Sequence, residues 1–213
     1  MSKKVVLVGA TGLVGKKLLC ILQANDSVSE VTCLLRRPVN LGSEKARGHV
    51  VDFMNLDQSR GLFDGASSVI CCIGTTMKVA KTREQFQIVD HYIPKVVARL
   101  AKETGIESFS LVSSLGANPL SGSFYLRVKG SIENELKKNG FHRLMIYRPS
   151  LLLGQREKKR SAELVMALFF RCFFWAIPKK FHPTDSVLLA KLMAEHALDF
   201  ENGVHIFESS VIK

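Results

Sequence analysis

Apolar runs and helical patterns alternate along the chain from residue 5 to residue 150. Residues 5–9 (VVLVG) form a continuous apolar run that ends in glycine, which is typical of a strand buried on both faces. The pattern is helical from 13 to 22. It continues with strand candidates at 30–37, 49–53, 67–74, 108–114 and 143–150, and with helix candidates at 84–103 and 124–138. This order predicts an α/β protein, a doubly wound Rossmann fold with a mainly parallel sheet.

The remaining residues, 151–213, are too few to build a second domain with a large core of its own. They contain two helical patterns, at about 161–176 and 184–199, and a last strand candidate at 204–209. We therefore expect a single domain over 1–213. In this domain the tail forms a short C-terminal extension, or lid, on the substrate side of the sheet.

The most apolar stretch of the chain is 164–178, which has 15 residues and includes Arg171. A helix that crosses a bilayer needs about 20 apolar residues, so this stretch predicts a core or interface helix and no transmembrane segment. No stretch of the chain has the pattern of a secretory signal.

A glycine-rich segment, GATGLVG at 9–15, lies between the first predicted strand and the first predicted helix. In this context Gly9 permits a tight turn, Gly12 lets the backbone approach a phosphate, and Gly15 allows close packing of helix on strand. The free amides at the helix N-terminus then meet the pyrophosphate of a dinucleotide. The segment predicts a nicotinamide dinucleotide, NAD(P), as the cofactor.

The end of the second predicted strand carries Arg36 and Arg37 where NAD-binding proteins commonly have an acid. A guanidinium cannot accept a hydrogen bond from the ribose 2′-hydroxyl, but it can hold a 2′-phosphate. The pair therefore favours NADP(H) over NAD(H). Asp52, after the third strand, is placed to bind the adenine amino group. Ile73 and Gly74, which close the fourth strand, are expected to leave room for the adenosine and the diphosphate.

The helix candidate 124–138 places Tyr125 and Lys129 four residues apart on one helix face. An ammonium beside a phenol favours the ionised phenol, so Tyr125 can give a proton to a carbonyl or remove one from an alcohol during hydride transfer. Ser113 and Ser114 end the fifth strand at the same crevice, where a hydroxyl would polarise the substrate oxygen. These residues predict an NADPH-dependent oxidoreductase that acts on a small carbonyl or alcohol substrate.

Taken together, these motifs resemble the atypical branch of the short-chain dehydrogenase/reductase superfamily, of the Tat-interacting protein 2 type. The likeness covers roughly 4–160 and rests on GATGLVG, LLRRP, VVDF, CCIGTT, LVSSLGA, YLRVKG and RPSLLLGQREKKR. It implies that Tyr125 is the proton acceptor, and that the cofactor is contacted by Gly9, Thr11, Gly12, Leu13, Val14, Arg36, Arg37, Ile73, Gly74, Tyr125, Lys129, Leu152 and Arg160. The resemblance favours Ser113 as the catalytic serine, whereas strand-end geometry also suits Ser114, and the choice stays open.

The net charge and the cysteine and histidine positions bear on which partners, metals and cellular compartment we expect. The chain has a formal net charge of +11, but its basic residues are scattered in pairs without interleaved aromatic residues. We therefore assign the charge to a basic surface and an anionic ligand rather than to nucleic acid. The five cysteines and six histidines show no metal-ligand spacing, so no metal site is predicted. Cysteines within apolar runs indicate a reducing compartment, and we expect a cytoplasmic protein.

A different class of function is also compatible with these motifs. A non-catalytic NADPH-binding regulator, whose cofactor orders a protein-binding surface, would need the glycine segment but would not need Tyr125 and Lys129 in register. The complete serine, tyrosine and lysine set favours the enzyme. A homodimer or a protein partner is left open. Asp90, in the helix after the fourth strand, is interpreted as a structural residue, with the alternative that it faces the catalytic helix or another subunit.

Overall fold

The computed structural model of the protein describes residues 2–153 and 182–212. In chain order these residues form β1 (Lys3–Val8), α1 (Leu13–Ala24), β2 (Val28–Leu35), β3 (Ala46–Val50), β4 (Ala66–Cys71), α2 (Met77–Ala80), α3 (Arg83–Gln87), α4 (Ile93–Glu103), β5 (Ser108–Val112), α5 (Phe124–Lys138), β6 (Arg143–Arg148), β7 (Leu152–Leu153), β8 (Thr184–Asp185), α6 (Ser186–Leu198) and β9 (Gly203–Glu208). A 3₁₀ helix at Leu56–Phe63 precedes β4, and a π-helical turn at Ile88–Tyr92 joins α3 to α4.

Seven of the described strands form one sheet in the order β3-β2-β1-β4-β5-β6-β9, and all of its neighbouring strands pair in parallel. The chain builds the sheet outward from β1 in one direction and then from β4 in the other. At such a switch point the loops that follow the two central strands separate, which opens a crevice at their carboxyl ends. The predicted doubly wound α/β fold is confirmed.

Two apolar layers cover the two faces of the sheet. On one face, residues of α4 and α5 such as Val97 and Ile132 pack against the central strands. On the other face, α1 and α6 pack against each other and against the sheet through Leu18, Leu22 and Met193. Burial on both faces explains why the central strands are continuous apolar runs without alternation.

The edge strand β3 lies three residues earlier than predicted. The apolar run at 49–53 suggested a strand there, but β3 pairs with β2 from Ala46 to Val50. An edge strand needs no continuous apolar sequence, and most of β3 is exposed or half-buried. Val51 and Phe53 are buried in the turn that follows, which is why the apolar signal is displaced.

The described part of the tail joins the main sheet. β9 pairs with β6 along its whole length, and α6 packs on α1. The predicted helix at 161–176 and the apolar stretch at 164–178 lie outside the described residues. Within the described ranges, no helix combines the length and the hydropathy needed to cross a bilayer.

Candidate active site and nucleotide groove

Two cavities at the carboxyl ends of the strands join into one groove. The larger has a volume of about 760 Å³ and the smaller about 320 Å³. Both are lined by Thr11 and Gly12 from the glycine loop and by Ile73 and Gly74 after β4. The groove therefore crosses the switch point of the sheet, where this fold class binds its ligands.

The glycine loop packs so closely that larger residues do not fit. A Cβ atom on Gly15 would lie 2.1 Å from the carbonyl oxygen of Gly9, and one on Gly9 would lie 2.8 Å from the backbone of Cys72. Gly9 also has a φ of +92°, which side chains rarely adopt. Gly12 stands immediately before α1, and its amide donates to the Gly9 carbonyl at 2.9 Å. The loop thus brings the start of α1, including Leu13 and Val14, to the wall of the larger cavity.

The smaller cavity ends at the predicted cofactor-selecting residues. Arg36 and Arg37 are both exposed and both line it, directly after β2. Phe53 lines the same cavity, whereas the neighbouring Asp52 is not among its lining residues. One carboxylate oxygen of Asp52 instead accepts a hydrogen bond from the amide of Met54 at 2.9 Å. The structure therefore places the arginines at the groove and the aspartate beside it.

The larger cavity contains Tyr125 and Lys129, one turn apart on α5. Tyr125 is half-buried, with its ring 5.5 Å from that of Phe86. The Lys129 side chain is only 6% exposed. Its Nζ atom lies 2.8 Å from Oδ1 of Asp90 and donates to the carbonyl of Val112 at 3.4 Å. The phenol and the ammonium predicted from their spacing thus line one cavity.

Asp90 faces the catalytic helix α5, which the sequence left as an alternative to a purely structural role, and its ion pair with Lys129 was not predicted. It lies on the π-helical turn before α4, is buried, and uses its second oxygen to accept from the Thr75 amide at 2.8 Å. Burial is the largest single influence on Lys129 and disfavours its ammonium, but the charge and hydrogen bond of Asp90, together with Tyr125 and Cys71, outweigh burial and raise the pKa of Lys129 above its ordinary value. Asp90 therefore keeps Lys129 charged and ties it to the loop after β4. The available signal was an acid within an apolar part of the predicted helix, and it did not identify the partner.

The two candidate serines differ in their surroundings. Ser113 is buried, lines the larger cavity, and its Oγ atom donates to Oε1 of Glu133. Ser114 is half-buried, is not among the cavity-lining residues, and its Oγ atom is 3.4 Å from the Leu115 carbonyl. The geometry brings Ser113, rather than Ser114, together with Tyr125 in one cavity.

The remaining wall of the larger cavity includes residues that the motifs did not single out. They come from the second turn of α1 and from the segment after β4, and they are Lys16, Lys17, Thr75, Thr76 and Val79. Leu152, which the family resemblance implied, lines this cavity from β7. Arg160, which the resemblance also implied, lies outside the described residues.

Comparison with known proteins agrees with this groove. Residues 9–164 match a family model described as NAD(P)H-binding. The chain is 36% identical to the protein HTATIP2 of Rattus norvegicus over 172 residues, which are 79% of this chain and 71% of that protein. It is 40% identical to the protein FMP52 of Debaryomyces hansenii over 157 residues, 73% of this chain and 69% of that one. The chain belongs to the HTATIP2 and FMP52 family of NAD(P)H-binding proteins.

Membership of the HTATIP2 and FMP52 family confirms the resemblance to atypical short-chain dehydrogenases/reductases. Among solved structures, a UDP-N-acetylglucosamine 4-epimerase from Methanobrevibacter ruminantium is similar, with a TM-score of 0.73 over 97% of this chain and 76% of that one. At 17% identity this likeness concerns the fold alone. The protein is therefore an NAD(P)H-binding protein with a Rossmann fold.

The prediction of a cytoplasmic location is wrong. FMP52 relatives from three fungi are named as mitochondrial proteins. The prediction rested on cysteines in apolar runs, and two of these, Cys33 and Cys71, are indeed buried thiols. Burial and unpaired thiols report packing and redox conditions, and neither property identifies a compartment.

Proposed function

We propose that this protein is an NADP(H)-dependent oxidoreductase that reduces a small carbonyl compound or oxidises the corresponding alcohol. The observation that carries the proposal is the position of Tyr125 and Lys129 in the same groove as the glycine loop. A nucleotide-binding fold requires the loop, but it does not require a phenol beside a buried ammonium at the other end of the groove.

The residues of the groove fit the cofactor. Close packing at Gly9 and Gly15 leaves the amides at the start of α1 open to a pyrophosphate. Arg36 and Arg37 would hold the 2′-phosphate that distinguishes NADP(H) from NAD(H), through charge-assisted hydrogen bonds. When bound, the nicotinamide supplies or accepts the hydride.

Each catalytic side chain then has one task. Tyr125 donates a proton to the substrate oxygen during reduction, or accepts one during alcohol oxidation. Lys129, held as an ammonium by Asp90, stabilises the phenolate that remains when Tyr125 has given up its proton. Asp90 acts through Lys129 and through the Thr75 amide, so we assign it a positioning role.

The proposal treats 1–213 as one domain with its substrate pocket completed by the tail. Two contacts support this arrangement: β9 extends the main sheet beside β6, and α6 packs on α1. Leu152, at the start of the tail, also lines the larger cavity, so the tail reaches the groove.

The decisive experiment compares wild type with Tyr125→Phe in a panel of carbonyl compounds, with NADPH consumption as the readout. Loss of the proton donor should lower turnover by about 100-fold or more while NADPH binding, measured by calorimetry, is retained. Tyr92→Phe is the matched control, since that tyrosine is 37% exposed and belongs to the π-helical turn rather than to the groove. Equal turnover by wild type and Tyr125→Phe would remove the proposed role.

A non-catalytic NADPH-binding module is the second candidate, and one observation favours it. The hydroxyl of Ser113 donates to Glu133 and so has no hydrogen to offer a carbonyl substrate. In that case the wild type binds NADPH but consumes it with no member of the panel.

A further inference from the structure

A buried carboxylate lies directly behind the cavity. Glu133 is on α5, one turn beyond Lys129, and is 1% exposed. Its Oε1 atom accepts from Ser113 Oγ and from Arg148 Nε, the latter at 3.0 Å. Its Oε2 atom accepts from Arg148 Nη2 at 2.6 Å, and Arg148 Nη1 donates to Glu208 at 3.0 Å. The ends of β5, β6 and β9 are thereby tied to α5.

This geometry settles which group donates. Both oxygens of Glu133 accept N–H bonds from the guanidinium of Arg148, so neither carries a proton. An ionised carboxylate is an acceptor only, and therefore Ser113 must be the donor in its bond with Glu133. A serine hydroxyl has one hydrogen. Ser113 is consequently left with lone pairs, and it lines the larger cavity as a hydrogen-bond acceptor.

An acceptor at this place needs a donor on the ligand. A carbonyl oxygen has no hydrogen, so Ser113 cannot polarise it. In the reverse direction, the reacting alcohol has one hydroxyl hydrogen, which goes to Tyr125 in the proposed function. The donor to Ser113 must therefore be another group of the substrate.

Resting on that proposed function, we propose that the substrate is a hydroxy-carbonyl compound, or the corresponding diol, and that Ser113 binds its non-reacting hydroxyl. Glu133 is then a positioning residue that keeps the Ser113 hydrogen away from the substrate. A substrate without this hydroxyl makes no hydrogen bond to Ser113, which is how a hydrogen-bonding site discriminates against such analogues.

The test uses pairs of carbonyl compounds that differ by one hydroxyl: 2-hydroxy-1-phenylethanone with acetophenone, and 2-hydroxypropanal (lactaldehyde) with propanal. Wild type should prefer the hydroxylated member of a pair in kcat/KM by about tenfold, the value of one net hydrogen bond. Ser113→Ala should reduce this preference to about one, because the acceptor is lost. Glu133→Gln should also reduce it, mainly through a higher KM for the hydroxylated member, because Ser113 is no longer held as a donor to a carboxylate.

Glu135→Gln is the matched control for the second variant. Glu135 lies on the same helix and pairs with Lys95 at 3.2 Å, outside the contacts of Ser113. Urea unfolding shows whether a variant has lost its fold or only its preference for the hydroxylated substrate. If Glu133→Gln does not fold, Ser113→Ala alone still tests the inference. An equal fall of both members of a pair in Ser113→Ala means that Ser113 acts on the carbonyl, and this overturns the inference. Wild type without any turnover refutes the proposed function, and the inference with it.

Discussion

Replacing Asp90 by Asn would remove the negative charge that faces Lys129. The asparagine would keep the shape of the aspartate and an oxygen that can accept from the Thr75 amide. The two charged atoms are 2.8 Å apart, and the side chains of Lys129 and Asp90 are 6% and 0% exposed. At this separation two unit charges attract by about 6 kcal/mol with an effective dielectric constant of about 20. The pair is thus the strongest candidate for a large single-residue effect on folding near the groove.

The expected loss is about 3–5 kcal/mol in the free energy of unfolding, which is typical when one partner of a buried ion pair is removed. The loss of stability has an upper limit, because an unpaired Lys129 can release its proton and become neutral. For a lysine of ordinary pKa near 10.4, that release costs about 4.6 kcal/mol at pH 7. Asp90→Asn should therefore fold, with much of its stability lost.

The pH dependence gives the sharper signature. In wild type the pKa of Lys129 is raised, since Asp90, with smaller contributions from Tyr125 and Cys71, outweighs burial. The pair's contribution is therefore complete below about pH 10 and is lost only as the pH rises through the folded-state pKa. In Asp90→Asn the carboxylate is gone, and burial, the largest influence on the pKa of Lys129, favours the neutral amine. The variant should then gain about 1.4 kcal/mol per pH unit relative to wild type on going from about pH 7 toward pH 9.5.

Urea unfolding of wild type and variant at several pH values measures both effects. The double variant Asp90→Asn with Lys129→Met should recover much of the loss, because no buried charge is left unpaired. Asp57→Asn is the surface control: its pair with Arg99 has the same 2.8 Å distance, yet the partners are 62% and 43% exposed, and the expected cost is under about 1 kcal/mol. A pH-independent loss below about 1 kcal/mol for Asp90→Asn would refute the reasoning.

Two further variants test the cofactor end of the groove. The double substitution Arg36→Ala with Arg37→Ala should weaken NADPH binding by about tenfold or more and leave NADH binding nearly unchanged, as measured by calorimetry, because charge-assisted bonds to the 2′-phosphate are lost. Gly15→Ala should abolish nucleotide binding, because its Cβ atom would lie 2.1 Å from the Gly9 carbonyl oxygen, and Gly122→Ala, with no atom within 4 Å of its Cβ, should not.

Arg47→Ala is the control for the arginine pair, since Arg47 is exposed on β3 and bonds to Glu30 at 3.1 Å. If the double arginine variant weakens the binding of NADPH and of NADH equally, the two guanidiniums do not bind the 2′-phosphate. If Gly15→Ala binds nucleotide as wild type does, the loop does not approach the pyrophosphate as we propose.

The spacing of residues close together in the chain was sufficient to predict much of the groove. The glycines of the first loop are three residues apart, and their effect depends on one strand, one turn and one helix, all adjacent in the chain. Tyr125 and Lys129 share a face of α5 because of helix geometry alone. The order of apolar runs likewise predicted the doubly wound sheet, since central strands buried on both faces need continuous apolar sequence.

What the sequence determined by itself is therefore the fold class, the nucleotide loop and the phenol–ammonium pair, because each depends on residues within a few positions of one another. Only the tertiary structure decided that Asp90 meets Lys129, because their contact spans 39 positions and requires a π-helical turn. It also decided that Ser113 donates to Glu133 and Arg148 backs that carboxylate, because three elements must pack before those atoms meet. Contacts between side chains of different elements depend on how those elements pack, and this packing produces no periodic pattern in the sequence.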